Sequence, residues 1–288
     1  MIGRRLLGVN TWVWTSPLTD AVLPELARHV AAMGFEAIEL PLENPGDWDA
    51  ARAADLLAEL GLVPVVVAAM GVNRSLVDRA GDVPATVDYL RACIRAASAI
   101  GSSVVAGPLY SPTGATWPIS PEERRDLAVE LRRNLAPLVD EASDAGVALA
   151  IEPLNRYETS LLNTVDQALD ALGPLIGPGL GLALDTYHLN IEEKRPTDAI
   201  RRAGEAIRHV QVCGTDRGAV GRDHADWPGI LDALDDAGYA GPLGVESFTG
   251  ENATIAVAAS VWRPLEPSQD ELARASLEFL TQLQLVRE

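Results

Sequence analysis

Four short apolar runs in the sequence each end on a side chain that can bind a metal ion or carry a proton: Ala148-Leu-Ala-Ile-Glu152, Gly181-Leu-Ala-Leu-Asp185, His209-Val-Gln211 and Gly244-Val-Glu246. Residues of a strand point to alternate sides. Glu152 therefore shares a side with Ala150 and Ala148, Asp185 with Ala183 and Gly181, and Glu246 with Gly244. The bulky aliphatics Val147, Leu149, Ile151, Leu180, Leu182, Leu184, Leu243 and Val245 take the other side. If the aliphatics pack on helices, the acids converge inside. Three carboxylates in a low-dielectric interior repel unless a cation neutralises them. A divalent ion held by Glu152, Asp185, Gln211 and Glu246 is the simplest expectation. Any one of these acids alone would equally suit a buried ion pair with arginine. The all-oxygen donor set suits Mg²⁺ or Mn²⁺ and lacks the thiolates or several imidazoles that favour zinc.

The elements that must position these groups follow from periodicity. Strand-length apolar runs alternate eight times with longer segments of helical period. The strand candidates are 6–12, 36–40, 62–68, 103–109, 147–153, 180–186, 207–213 and 243–248. Helix candidates cover 18–33, 48–60, 84–100, 121–145, 164–172, 197–206 and 228–237, with a long last stretch over 252–285. Three open at Pro and most close at Gly, the expected chemistry of helix ends. Strict alternation calls for a parallel sheet with helical crossovers. Eight units in 288 residues, with no Gly-rich phosphate loop after the first strand, predict an α/β fold: a single (β/α)8 TIM barrel spanning 1–288. Its active site belongs at the C-terminal strand ends, where the four groups lie.

The charge balance narrows the partners. With 23 Lys plus Arg against 41 Asp plus Glu, the net charge of −18 opposes nucleic-acid binding. No apolar run reaches membrane-spanning length, and the N-terminus lacks a signal-peptide core. Two cysteines, Cys93 and Cys213, suit a reducing compartment, so a cytoplasmic protein is expected. Lys194 is the only lysine, which argues against imine-forming catalysis.

The segments Ile151–Thr164, Leu184–Glu193, Asp216–Gly221 and Gly238–Phe248 closely resemble the sugar isomerase/epimerase (xylose isomerase-like) barrels. They are most similar to the ketose 3-epimerases acting on D-tagatose and D-allulose (psicose). In the first half the likeness is architectural, apart from Ala106–Ser111. The resemblance implies that Glu152, Asp185 and Glu246 bind a divalent metal, Mn²⁺ first with Mg²⁺ or Co²⁺ as alternatives, and that Glu152 and Glu246 are also the acid/base catalysts. It implies further that Glu158, His188 and Arg217 hold the O1 to O3 end of an unphosphorylated sugar. Gln211 departs from the pattern, since the 3-epimerases carry His there. Hydroxypyruvate isomerase-like relatives carry Gln in a similar setting.

The chemistry is coherent on its own terms. Inverting a centre beside a ketone requires removing a proton from carbon, stabilising the enediolate, and returning a proton to the opposite face. Glutamates on strands five and eight meet that need. A lyase or dehydratase acting on a keto-sugar or inosose, including 3-keto C-glycoside cleavage, would use the same first step. A nuclease would need several histidine-held metals, and a scaffold would have no use for the paired glutamates. Homo-oligomerisation, as dimer or tetramer, is left open.

Among the remaining residues, Trp14 is expected to wall the distal part of the substrate, with Tyr110 or Trp117 as further candidates against ordinary rim packing. His29 reads as surface and His209 as a core histidine. His224 suits a substrate contact or a solvated loop equally well. Cys213 has no basic neighbour in sequence and reads as a small buried filler.

Overall fold

The computed structural model describes residues 4–68, 70–79 and 81–287. Eight parallel strands close into a barrel in chain order. They are β1 (Leu7–Asn10), β2 (Ala37–Leu42), β3 (Val63–Ala68), β4 (Val104–Gly107), β5 (Ala148–Ile151), β6 (Leu180–Asp185), β7 (Ile207–Val212) and β8 (Leu243–Val245). The helices are α1 (Leu23–Met33), α2 (Ala50–Leu60), α3 (Val83–Ile100), α4 (Pro121–Asp144), α5 (Val165–Leu172), α6 (Thr186–Glu192), α7 (Pro196–Ala203), α8 (Trp227–Asp236), α9 (Ala253–Ala258) and α10 (Gln269–Leu285). Asp49, Asp82, Ser120, Thr164, Asp226 and Ser268 accept a first-turn backbone N–H at their helix starts, and Gly34, Gly61 and Gly101 close helices in the left-handed conformation. No helix among the described residues is long and apolar enough to cross a membrane.

The eight strands fall where the periodicity puts them; seven are shorter by one to three residues, and β2 begins one residue later and runs two further than expected. Two helical assignments change. The stretch 252–285 divides into α9 and α10, separated by a Pro-containing connection at Pro264 and Pro267. The short α6 starts directly at the end of β6 and was not anticipated. Asp185 initiates it, its Oδ1 accepting the Tyr187 backbone N–H at 2.9 Å.

The core has two parts, divided by strand parity as expected. Leu7, Val9, Ile38, Leu40, Val66, Val105, Leu149, Ile151, Leu182, Leu184, Val210 and Val245 pack outward under the helices. Truncating one such large side chain to Ala costs about 2–5 kcal/mol. Inside the barrel Val65, Val67, Val104, Ala106, Ala150 and Ala183 form the smaller cluster. Branched side chains of β3 and β4 fill that half, so the small residues of β5, β6 and β8 leave room for polar groups. On β7 the register slips at Arg208: Leu182 opposes Ile207, whereas Ala183 opposes His209. This one-residue bulge keeps Ile207 in the outer core and turns His209 and Gln211 inward.

Candidate active site

A cavity of about 340 Å³ opens at the C-terminal end of the barrel, near the lower end of the ~300–1,000 Å³ range of small-molecule sites. Glu152, Glu158, His188, Arg217 and Glu246 line its polar end, Phe248 lies beside them with its ring centre 5.1 Å from the Arg217 guanidinium, and Trp12, Met70, Val72, Ile255, Ser16, Glu43 and Thr113 are further parts of the wall. Asp185 and Gln211 do not line it but bond to Arg217 and Glu246, which do.

Strand ends supply the buried acids, and the loops just beyond supply their partners. Nη1 of Arg217 lies 2.5 Å from Asp185 Oδ2 and 2.7 Å from Glu246 Oε2. Arg217 sits at φ 69°, in a tight loop closed by Gly214 N–H donating to Gly218 O, and Ser247 Oγ donates to its carbonyl at 2.7 Å. A non-glycine residue in that region is held there by its surroundings. Its guanidinium also lies 4.0 Å from the Tyr187 ring centre. His188 reaches the cavity because it stands in the first turn of α6. The Asn155 backbone N–H, an obligate donor, bonds its Nδ1 at 3.0 Å. The ring proton is therefore on Nε2, which lies 3.5 Å from Glu152 Oε1, 3.6 Å from Asp185 Oδ2 and 3.2 Å from Arg217 Nη2. Asn155 Nδ2 also donates to Glu158 Oε1 at 2.8 Å, so one amide side chain anchors both Glu158 and His188.

Charge counting bears on a metal. Glu39, Glu152, Asp185 and Glu246 are at most 5% exposed, and among the described residues Arg217 is the only guanidinium bonded to any of them. Burial first, then the charges of Glu246 and Asp185, push the Glu152 carboxyl well above its ordinary range. Burial raises Glu246 to about 8 even though Arg217 opposes the shift. A divalent cation would remove most of this cost. Ligand atoms of Glu152, Asp185 and His188 lie within 4.8 Å of one another. The His188 tautomer makes that ring a donor, not a metal ligand. The better fourth oxygen is Gln211 Oε1, which is buried with no hydrogen-bond partner. These residues fit a hard divalent ion.

The sequence-derived site residues separate into two groups. Glu152, Asp185, Gln211, Glu246, Glu158, His188 and Arg217 come together around the polar end of the cavity. Trp14 does not join them. After Asn10 the chain turns through a 3-10 segment, Thr11–Val13, which breaks the strand alternation. Trp12 then faces the cavity against Phe248, whereas the Trp14 indole N–H bonds Asp270 at 2.8 Å and its ring packs on His29. Tyr110 is fully buried, its hydroxyl donating to the Leu162 carbonyl, and neither it nor Trp117 lines the cavity.

The other histidines and Cys213 also resolve. His29 is half-buried and paired with Asp270 instead of lying free on the surface. His224 is exposed beside Thr215, outside the cavity. His209 is buried, with Nε2 2.7 Å from Glu39 Oε1. Cys213 does have a basic neighbour, Arg217 Nη1 at 3.7 Å, but burial holds its thiol well above the ordinary range and leaves it un-ionised. Sequence reasoning missed Glu39, Glu43 and Asn155. The inward parity of Glu39 with Ala37, opposite Ile38 and Leu40, was the available signal for the first of them.

A family model described as Xylose isomerase-like TIM barrel matches residues 27–283. The L-ribulose 3-epimerase of Methylomonas sp. (strain DH-1) is 32% identical over 282 residues, covering 96% of each chain. The ketose 3-epimerase of Arthrobacter globiformis is 31% identical over 280 residues, covering 95% of each. A solved structure of L-ribulose 3-epimerase superposes with a TM-score of 0.90 at 29% identity, covering 98% of this chain and 95% of that one. These relatives are isomerase-class enzymes, which supports the epimerase expectation over the lyase alternative.

Proposed function

The chain belongs to the xylose isomerase-like TIM-barrel family, and on that premise we propose that it is a ketose 3-epimerase acting on an unphosphorylated ketose. The observation that carries the reading is the pair Glu152 and Glu246, which follow directly on β5 and β8 and are both buried in the wall of one cavity. Two carboxyls placed in this way can remove a proton from carbon and return one. Glu152 removes the C3 proton on one face of the sugar and Glu246 returns one on the other, the roles exchanging for the reverse reaction. His188 Nε2–H and Arg217 Nη2–H, 3.2 Å apart, donate to an oxygen at the C1 to C3 end, and Glu158 accepts from a hydroxyl. One divalent ion held by Glu152, Asp185, Gln211 and Glu246, with Mn²⁺ expected ahead of Mg²⁺ or Co²⁺, supplies Lewis-acid polarisation of the carbonyl and its neighbouring hydroxyl.

An unphosphorylated substrate is favoured by the lining. Among the described residues of the cavity Arg217 is the only cation, and it is engaged by Asp185 and Glu246 at the polar end. The rest of the wall offers Trp12, Met70, Val72 and Ile255, which suit C–H faces and not a phosphate dianion. The free, buried Cys93 and Cys213 are consistent with a cytoplasmic setting. The test is product analysis with ketopentoses, ketohexoses and inososes, using Mn²⁺-loaded and chelated protein. A C3 epimer of unchanged mass, formed only with the metal, is expected. An unsaturated or shortened product would replace the epimerase with a lyase.

A further inference from the structure

The fourth oxygen of the site depends on which way round the Gln211 carboxamide lies. Its Nε2 is 2.8 Å from Glu39 Oε2 and 2.8 Å from Glu246 Oε1. Glu39 Oε2, which also accepts from Asn10 Nδ2, fixes the choice: an amide nitrogen satisfies that contact, whereas an amide oxygen there would face an acceptor. The two N–H groups are thereby used, and Oε1 is left buried and unpartnered. Glu246 also serves Arg217, through Oε2 at 2.7 Å. Glu39 has no such second duty at the cavity, which it does not line.

Glu39 is itself held firmly in the barrel interior. Asn10 Nδ2 donates to its Oε2 at 2.9 Å, and His209 Nε2 lies 2.7 Å from its Oε1. The space it occupies exists because residue 244 is glycine: a Cβ built there would overlap Glu39 Oε1. A buried carboxylate that touches no substrate, and for which β8 gives up a side chain, needs a structural or functional reason.

We propose that Glu39 is a positioning residue of the metal centre, which turns the Gln211 carboxamide so that its oxygen, and not its nitrogen, is presented to the ion. This rests on the reading of Gln211 as a ligand. It also explains how glutamine can stand at that position: an imidazole has no amide to misorient, whereas a carboxamide needs an acceptor on its nitrogen side. Partners of this kind typically change metal affinity by about 10–100-fold.

The test is Mn²⁺ binding to metal-stripped protein, read from the electron paramagnetic resonance signal of free Mn²⁺. Glu39→Met removes the acceptor and is expected to weaken binding by about 10–100-fold. Glu39→Gln removes the charge but keeps an acceptor oxygen, and should stay within about threefold of the unaltered protein, well below the loss typical of a missing partner. In a Gln211→Ala background Glu39→Met should have no further effect. Equal losses in Glu39→Met and Glu39→Gln would make Glu39 a source of negative potential only, and an undiminished loss in Gln211→Ala would do the same. Either result overturns the proposal while leaving the metal site standing. Failure of the unaltered protein to bind Mn²⁺ would remove the metal reading itself, and the inference with it. If Glu39→Met does not fold, the Gln211 side-chain NH₂ resonances decide. Protection from solvent exchange supports the proposal, and exchange at the rate of a free amide overturns it.

Discussion

Nη1 of Arg217 lies 2.5 Å from Oδ2 of Asp185, in a pocket where both side chains are almost wholly buried. The guanidinium provides the compensating charge for the metal-free site, and burial, which alone would lower its proton affinity, is outweighed first by Asp185. The reading of one acid as an arginine ion pair and the reading of the whole set as a metal centre are therefore compatible.

Replacing Arg217 with Met should destabilise the chelated protein by up to about 3–5 kcal/mol, the cost of leaving a buried charge unpaired. Added Mn²⁺ should recover a substantial part of the lost melting temperature. Melting curves with chelator and with Mn²⁺ check this, and equal losses under both conditions would mean that Arg217 is not the cation substituting for a metal.

Stability of the metal-free protein should fall as pH rises from 6.5 to 8. Glu246 is raised to about 8, so in this window the folded state holds a proton that the unfolded chain, with its ordinary carboxyl, has released. Folding then binds protons, and raising the pH removes that advantage. The window avoids His188, whose proton affinity burial lowers and which opposes folding only below about 6.5. Melting temperature against pH in chelator should slope downward, and the slope should flatten in Glu246→Gln. An upward slope in the unaltered protein would contradict the assignment.

Glu246→Gln and Glu152→Gln should each lower kcat by about 10²–10⁴, the contribution typical of a positioned acid or base. Each retains an oxygen, so Mn²⁺ should still bind, as titration calorimetry can verify. Near-normal turnover in either variant would remove it from the proton path.

Trp12→Phe should raise KM several-fold with kcat little changed, because the indole both lines the cavity and donates to Glu43 at 3.0 Å. Trp14→Phe should leave KM unaltered and lower stability by about 0.5–1.5 kcal/mol, the net worth of one hydrogen bond to a partly exposed carboxylate that His29 still holds. Steady-state kinetics and melting together separate the two. The opposite pattern would restore Trp14 to the sugar site.

The architecture and most of the polar site could be read from the sequence because both obey a local rule. Strand parity sorts Leu149 and Ile151 from Ala150 and Glu152 without knowledge of any neighbour, and glycine closes α1, α2 and α3 where the period ends. What escaped detection depends on local breaks in that rule or on contacts distant in sequence. The 3-10 turn at Thr11–Val13 exchanged Trp14 for Trp12. The bulge at Arg208 and the helix initiated by Asp185 likewise needed the structure. Glu39 follows parity, but its partners His209 and Gln211 are more than 160 residues away, so only closure of the barrel gives it a role.

The central claim is inversion at C3 by two bases on opposite faces. The most direct measurement is NMR of the early product, formed by Mn²⁺-loaded protein from a protiated ketose in heavy water. The account predicts one deuterium at C3 of the epimer and none in the unreacted sugar. The proton is taken by one glutamate and the replacement comes from the other, which has equilibrated with solvent. An epimer that keeps its original hydrogen at C3, or deuterium found at C1 in place of C3, would contradict it.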